Sequence, residues 1–370
     1  MGKYYGDHEI TDSHVHPYGG AGLQAFLKAA EDFIGEVQVK GVNLQCINNT
    51  RYGSAGTDLL ALAAKTKDPR FTAYCGFGYW MNTIGHDGPG LRAQLETYMA
   101  AGFDGLKMLE GKPTERSISK IPLDDPRYDP AFDLLEKTGF HITSHVNDPE
   151  EFWDPKLCPE WANRGKGGYW DRSIYLTKEE HYTENENLLK RHPKINITFA
   201  HAYFLSNYPD RMTALFEKYP NVTVDLTPGI EMYDGFTRQH KIWREIFVKY
   251  QDRFLFGTDN AVNPLGKSPI THDGSPRYKV ENVARFLTTN DEFEAWGYKL
   301  KGLGLPKEAS AKILSGNYLR LRGSPKPVNR DAAIAYGEAL QREVKDRGDV
   351  GDGKKRDIAE AIAFFGENSK

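Results

Sequence analysis

The chain has 370 residues, a net charge of −3 and 39% hydrophobic residues, an ordinary globular balance with room for one large barrel or two average domains. Its near-neutral charge gives no electrostatic footprint for nucleic acid or an anionic membrane surface. No apolar run reaches the roughly 20 residues that cross a bilayer.

In chain order, Ile10 to His16 is a short apolar segment with polar residues at its end, and Leu23, Leu27, Ala30 and Ile34 fall at helical spacing. Val42 to Ile47 predicts a strand and Asp58 to Ala64 a helix. The alternation continues with Thr72 to Phe77 and Leu91 to Ala100, then Phe103 to Leu109 and Pro130 to Lys137. Phe140 to Val146 precedes a helix over Tyr182 to Arg191, Ile195 to Ala200 one over Arg211 to Lys218, and Val222 to Leu226 one over Gln239 to Tyr250. Phe254 to Gly257 is the eighth strand.

Short apolar strands separated by helices imply parallel strands buried on both faces. Eight such units predict an α/β fold of the (β/α)8 TIM-barrel type. The first strand–helix turn lacks a glycine-rich dinucleotide fingerprint, which argues against a Rossmann sheet. Two regions exceed the barrel. Asp148 to Thr177, after strand 5, is a long connection holding Trp153, Trp161, Tyr169 and Trp170; so many aromatics argue against disorder. The expected domains are a barrel over 1–323 and a helical extension over 324–370, packed on the barrel or on a neighbouring subunit. In that extension Asn329 caps a helix running to about Lys345, and a second covers Lys355 to Phe365.

The first chemical cluster is Asp12-Ser13-His14-Val15-His16. Side chains alternate faces along a strand, so His14 and His16 point the same way. Two imidazoles near a strand's C-terminal end make half of a tetrahedral metal site. His145 ends Phe140-His-Ile-Thr-Ser-His-Val, His201 follows Ile195-Asn-Ile-Thr-Phe-Ala, and Asp259 follows Phe254-Leu-Phe-Gly-Thr. In a barrel, strand C-termini converge on one face, and that face carries the active site. Buried His and Asp at such positions need partners, and a metal provides them.

Together with Ile313-Leu-Ser-Gly-Asn317-Tyr, these segments resemble the amidohydrolase superfamily, in its branch of small metal hydrolases and nonoxidative decarboxylases. The resemblance runs from Ile10 to about Leu321. It implies one divalent ion, zinc first with manganese or iron as alternatives, held by His14, His16, His145 and Asp259. It also implies catalytic roles for Asp259, as proton acceptor, and for His201 beside the metal.

Lys107 ends the fourth strand. It is read as a substrate-carboxylate contact, as a carbamylated bridge between two metals, or as an ion-pair partner of Glu110. Arg51 and Tyr79, at the ends of strands 2 and 3, are the other substrate-binding candidates, with Arg51 suited to clamp a carboxylate. Trp153 either covers the mouth or packs the long loop down. His141, four residues before His145, points inward but lies deeper. The expected activity is hydrolysis of an ester, lactone or amide of a small carboxylate-bearing molecule by a metal-activated water. The alternative is nonoxidative decarboxylation of a small aromatic acid at the same site. Cys46, Cys75 and Cys158 lack metal-site spacing, and Met1 to Ile10 lacks an apolar signal core. Both features suit a reducing cytoplasm. The expected partner is a small-molecule substrate, without nucleic acid or membrane, and a homodimer fits.

Overall fold

In the computed structural model, which describes residues 8–47, 55–78, 88–158, 170–229, 231–266 and 275–367, one parallel sheet organises the chain. Its strands are β1 (Thr11–Pro17), β2 (Gly41–Gln45), β3 (Phe71–Gly76), β4 (Gly105–Gly111), β5 (His141–Val146), β6 (Ile197–Phe199), β7 (Val222–Asp225), β8 (Phe254–Leu255) and β9 (Asn260–Val262). They run in the order β8-β7-β6-β5-β4-β3-β2-β1-β9, every pair parallel. The two edge strands follow one another in the chain. β8 pairs with β7 while β9 pairs with β1, and backbone bonds from Ser13 N to Phe256 O (3.1 Å) and from Asp259 N to His14 O (2.9 Å) join them across the gap. The sheet therefore closes on itself as a TIM-type barrel ringed by helices, as the alternating pattern predicts.

The departures from the predicted elements have local causes. The eighth strand stops at Leu255 rather than Gly257 and resumes as β9, because Asp259 adopts a left-handed backbone (φ 55°) that breaks the ladder. The helix expected over Gln239 to Tyr250 is present as His240–Lys249, and a further helix, Met232–Arg238, precedes it and meets it at the non-helical Gln239. A helix over Pro276–Thr288 and a hairpin of Glu292–Ala295 with Tyr298–Lys301 stand outside the predicted set. The hairpin turns through Trp296 and Gly297, both at positive φ, the backbone that tight two-residue hairpin loops require.

The inward strand positions are partly polar, and each polar group meets another. His141 accepts or donates to Tyr74 Oη at 2.5 Å through Nδ1 and to Thr198 Oγ1 at 2.7 Å through Nε2, and Thr198 reaches Thr223 at 2.6 Å. His141 is thus a satisfied histidine within the barrel, below the strand ends. The C-terminal helices Arg330–Val344 and Asp352–Glu367 pack on each other and on the helices Gly88–Ala101 and Thr57–Lys67. Asn329 caps the first through Ala332 N. Tyr336 donates to the buried Asp58, and Asp357 receives the backbone N–H groups of Gly20 and Gly22. Leu340, Ile358 and Phe365 are fully buried there, each worth roughly 1.5–3 kcal/mol. Among the described residues, no helix is long and apolar enough to cross a membrane.

Candidate metal and active site

β1 delivers His14 and His16 to the same face, as the two-residue period dictates. Both are buried. His14 Nδ1 lies 2.7 Å from Asp225 Oδ2, and His16 Nδ1 lies 2.7 Å from the Gln45 carbonyl oxygen. Each contact requires the N–H on Nδ1, which leaves both Nε2 atoms as bare acceptors. Those two acceptors face each other at 3.2 Å. Asp259 Oδ1 stands 3.1 Å from His16 Nε2 and 3.9 Å from His14 Nε2. The three residues offer donor atoms within 4.8 Å of one another. Three converging electron-pair donors repel unless a cation lies between them, and mixed imidazole and carboxylate donors suit a divalent transition ion.

Local backbone strain aims these groups. His201, Ala202, Tyr203 and Phe204 form a left-handed turn (φ 50–56°), and Asp259 and Asn147 share that conformation. For ordinary residues such geometry costs about 1–2 kcal/mol each, and it persists only where the surroundings hold it. Here the helix Lys178–Arg191 holds it: Tyr182 Oη donates to Tyr203 O at 2.8 Å, and Asn185 Nδ2 to Tyr203 Oη at 2.7 Å. Gly257 is needed beside the site, because a Cβ there would stand 2.6 Å from Thr227 Oγ1 and 3.1 Å from His14 Cβ.

Burial keeps the His14 imidazole neutral, down to about 3, with the Lys107 charge adding to the effect. Burial alone would raise Asp225, but the groups around it, His14 first, hold its carboxyl well below the ordinary range. Burial likewise opposes ionisation of Asp259, and His16 and His14 outweigh it. Burial brings Lys107 down to about 8. Its Nζ lies 2.9 Å from His14 Nε2, so this lysine reaches the donor group itself.

His145 and His201 sit alongside. Their ring centroids are 4.9 Å apart, and His201 is 5.9 Å from His14. His145 Nε2 contacts Asp148 Oδ1 at 3.2 Å and Lys112 Nζ at 3.4 Å, and that lysine meets Asp148 at 2.7 Å. The structure therefore gathers His14, His16 and Asp259 into one donor group, with Lys107 against it, and places His145 across His201 in a cluster with Asp148 and Lys112. His201 Nδ1 lies 3.2 Å from the Thr227 carbonyl oxygen. Burial lowers its pKa, so the neutral ring donates from Nδ1 and keeps Nε2 as an acceptor. Trp153 is half-buried, donates from Nε1 to Leu176 O at 3.0 Å and lies 6.5 Å from Trp170; it ties the long loop to itself. Arg51 and Tyr79 lie outside the described residues.

Asp225, at the end of β7, was missing from the sequence-based candidates. One oxygen holds His14 Nδ1, and the other accepts from His201 N at 2.9 Å and Thr227 N at 3.1 Å. The signal was present, since Val222-Thr-Val-Asp225 is another apolar strand ending in an acid. Asp12, by contrast, turns away from the donor group, receiving Thr258 Oγ1 at 2.6 Å and His14 N at 3.2 Å.

A parallel barrel with buried imidazoles and a carboxylate at the ends of its strands is an architecture found among amidohydrolases. The amidohydrolase family model matches residues 57–321, and the chain belongs to that family. Among solved structures, an uncharacterised TIM-barrel protein from Bordetella bronchiseptica is 16% identical, with 85% of this chain and 98% of that one covered at a TM-score of 0.53. The apo form of IDCase from Metarhizium anisopliae is 12% identical over 87% and 98%, at 0.51. A 2,6-dihydroxybenzoate decarboxylase from Rhizobium is 14% identical over 85% and 98%, at 0.50. At these identities the likeness is one of fold. No curated protein matches the chain.

Proposed function

We propose that the protein is a metal-dependent hydrolase that cleaves an ester, lactone or amide bond of a small carboxylate-bearing molecule. One observation carries this reading: the unprotonated Nε2 atoms of His14 and His16 converge at 3.2 Å beside Asp259, with Lys107 Nζ 2.9 Å from the first. His14, His16 and Asp259 would hold the ion, zinc being the first choice, and His145 is proposed as a further donor from its strand-end position. When bound, a divalent ion acts as a Lewis acid toward a carbonyl and lowers the pKa of water toward ~7.

The chain's own groups divide the remaining work. Asp259 accepts the proton that the attacking water loses, and returns it to the oxygen or nitrogen that leaves as the carbonyl bond breaks. His201, oriented by Thr227, accepts a hydrogen bond through Nε2. That contact orients the group beside the scissile carbonyl. Lys107 brings an ammonium to the donor group, where a substrate carboxylate would lie.

That same ammonium supports a second reading, in which the carboxylate it holds is the group that leaves as CO2 from a small aromatic acid. Metal-replete protein incubated with lactones, esters and aromatic carboxylates separates the two. Proton release without CO2 supports hydrolysis, stoichiometric CO2 replaces it with decarboxylation, and activity indifferent to chelation removes both.

A further inference from the structure

We propose that Gly229, Phe204 and Glu231 bound a second recognition subsite at the barrel mouth, which takes a hydrogen-bond-donating group, a hydroxyl or an amine, carried on a flat substrate ring. The inference rests on the reading above only for which end of the substrate faces the cation.

Gly229 supplies the space. A Cβ placed there would stand 3.7 Å from Phe204 Cε1 and 3.9 Å from Glu231 Oε2. The missing side chain thus leaves room for an atom in ordinary contact with both, and Gly229 itself is half-exposed. Glu231 supplies the acceptor. It is 2% exposed, and among the described residues its buried Oε2 has no hydrogen-bond partner. Asp148 Oδ2 and Glu151 Oε2 are in the same condition. Burial first, then Glu151, pushes the Glu231 carboxyl up to about 7, with Lys178 opposing. Buried carboxylate oxygens without partners are rare in folded proteins, because each forfeits the hydrogen bonds that water gave it. A ligand that donates to Glu231 restores them.

Phe204 links this place to the donor group. Its ring stacks on His201 at 5.1 Å and 24°, and lies 5.6 Å from His145. The ammonium of Lys178 lies over the same ring, 5.9 Å from its centroid. A substrate carboxylate would be repelled by Glu231 and Glu151, only partly offset by Lys178, and drawn to Lys107. A molecule with an anionic end and a donor end is therefore read in one orientation.

The test uses zinc-loaded full-length protein titrated with benzoate and with its 3- and 4-hydroxy and 3- and 4-amino derivatives. At least one derivative should bind roughly tenfold tighter than benzoate, the worth of a hydrogen bond to a charged acceptor. Glu231→Gln and Gly229→Ala should each bring that derivative down to benzoate's affinity and leave benzoate unchanged. Gly229 has no left-handed backbone, and its added methyl meets neighbours only at contact distance, so Gly229→Ala should fold normally. Glu231→Gln should melt higher than the wild type, since it removes an unpaired buried charge. A lower melting temperature would mark Glu231 as structural and overturn the proposal. So would a panel in which no donor-bearing derivative outbinds benzoate, or a preference that survives both substitutions. Benzoate binding that persists after chelation would instead sink the cation-site reading and leave the subsite standing.

Discussion

Asp225 Oδ2 and His14 Nδ1 lie 2.7 Å apart, and this contact decides which imidazole nitrogen faces His16. The same carboxylate, through Oδ1, accepts the backbone N–H of His201. One buried acid on β7 therefore orients His14 on β1 and holds the backbone of His201 after β6. Carboxylates that hold metal-ligating histidines this way fix the tautomer and raise ligand basicity.

Asp225→Asn should weaken zinc affinity about 10–100-fold, read by competition with a chromophoric chelator. The amide keeps the size of the acid but presents no second acceptor oxygen, so turnover should fall as well. Wild-type affinity would detach Asp225 from the site.

His145→Ala tests the ligand set. The protein should retain well under one equivalent of zinc after dialysis, as His16→Ala should. One full equivalent in His145→Ala would assign the ion to His14, His16 and Asp259 alone, and leave His145 to the cluster with Asp148 and Lys112.

His201→Asn should keep its metal and lose about 10²-fold or more in turnover. Its backbone N–H, held by Asp225, survives the change, so the left-handed turn should stay formed. Unaltered turnover would make His201 a packing residue of Phe204 and His145.

The pH dependence of stability follows from His141. Burial lowers its imidazole to about 3, so below its ordinary value near 6.5 the unfolded chain binds a proton that the folded chain refuses. Stability is then fully present above about pH 6.5 and falls as pH drops toward 3. Burial also lowers His14 to about 3 and His181 to about 4, which adds to the slope. Urea unfolding between pH 6 and 4.5 should show a slope shallower by up to about 1.4 kcal/mol per pH unit in His141→Gln. An unchanged slope would show that His141 titrates as an exposed histidine does.

Asp357→Ala should cost about 1–3 kcal/mol, because it strands the N–H groups of Gly20 and Gly22. Denaturant unfolding reads this directly. A change within error would mean that the C-terminal helices add little beyond their apolar contacts.

The β/α alternation, the barrel and the shared facing of His14 and His16 follow from residue spacing, since period 2 and period 3.6 are local properties of the backbone. Asp259 and His201 were legible as polar residues at the ends of apolar runs. The hairpin at Trp296-Gly297 was not, because its strands, Glu-Phe-Glu-Ala and Tyr-Lys-Leu-Lys, carry only four residues each, too few for their alternation to stand out. Nor were the partners at the site. The sequence places His145 and Asp225 alike at strand tips, and only the folded barrel draws Asp225 under His14 while drawing Asp148 and Lys112 to His145. Those choices depend on the left-handed turns after β5, β6 and β8 and on side chains far apart in the chain. Closure through β9, the anchoring of the tail on Gly20, Gly22 and Asp58, and the gap at Gly229 have the same origin: distances between groups that no local rule relates.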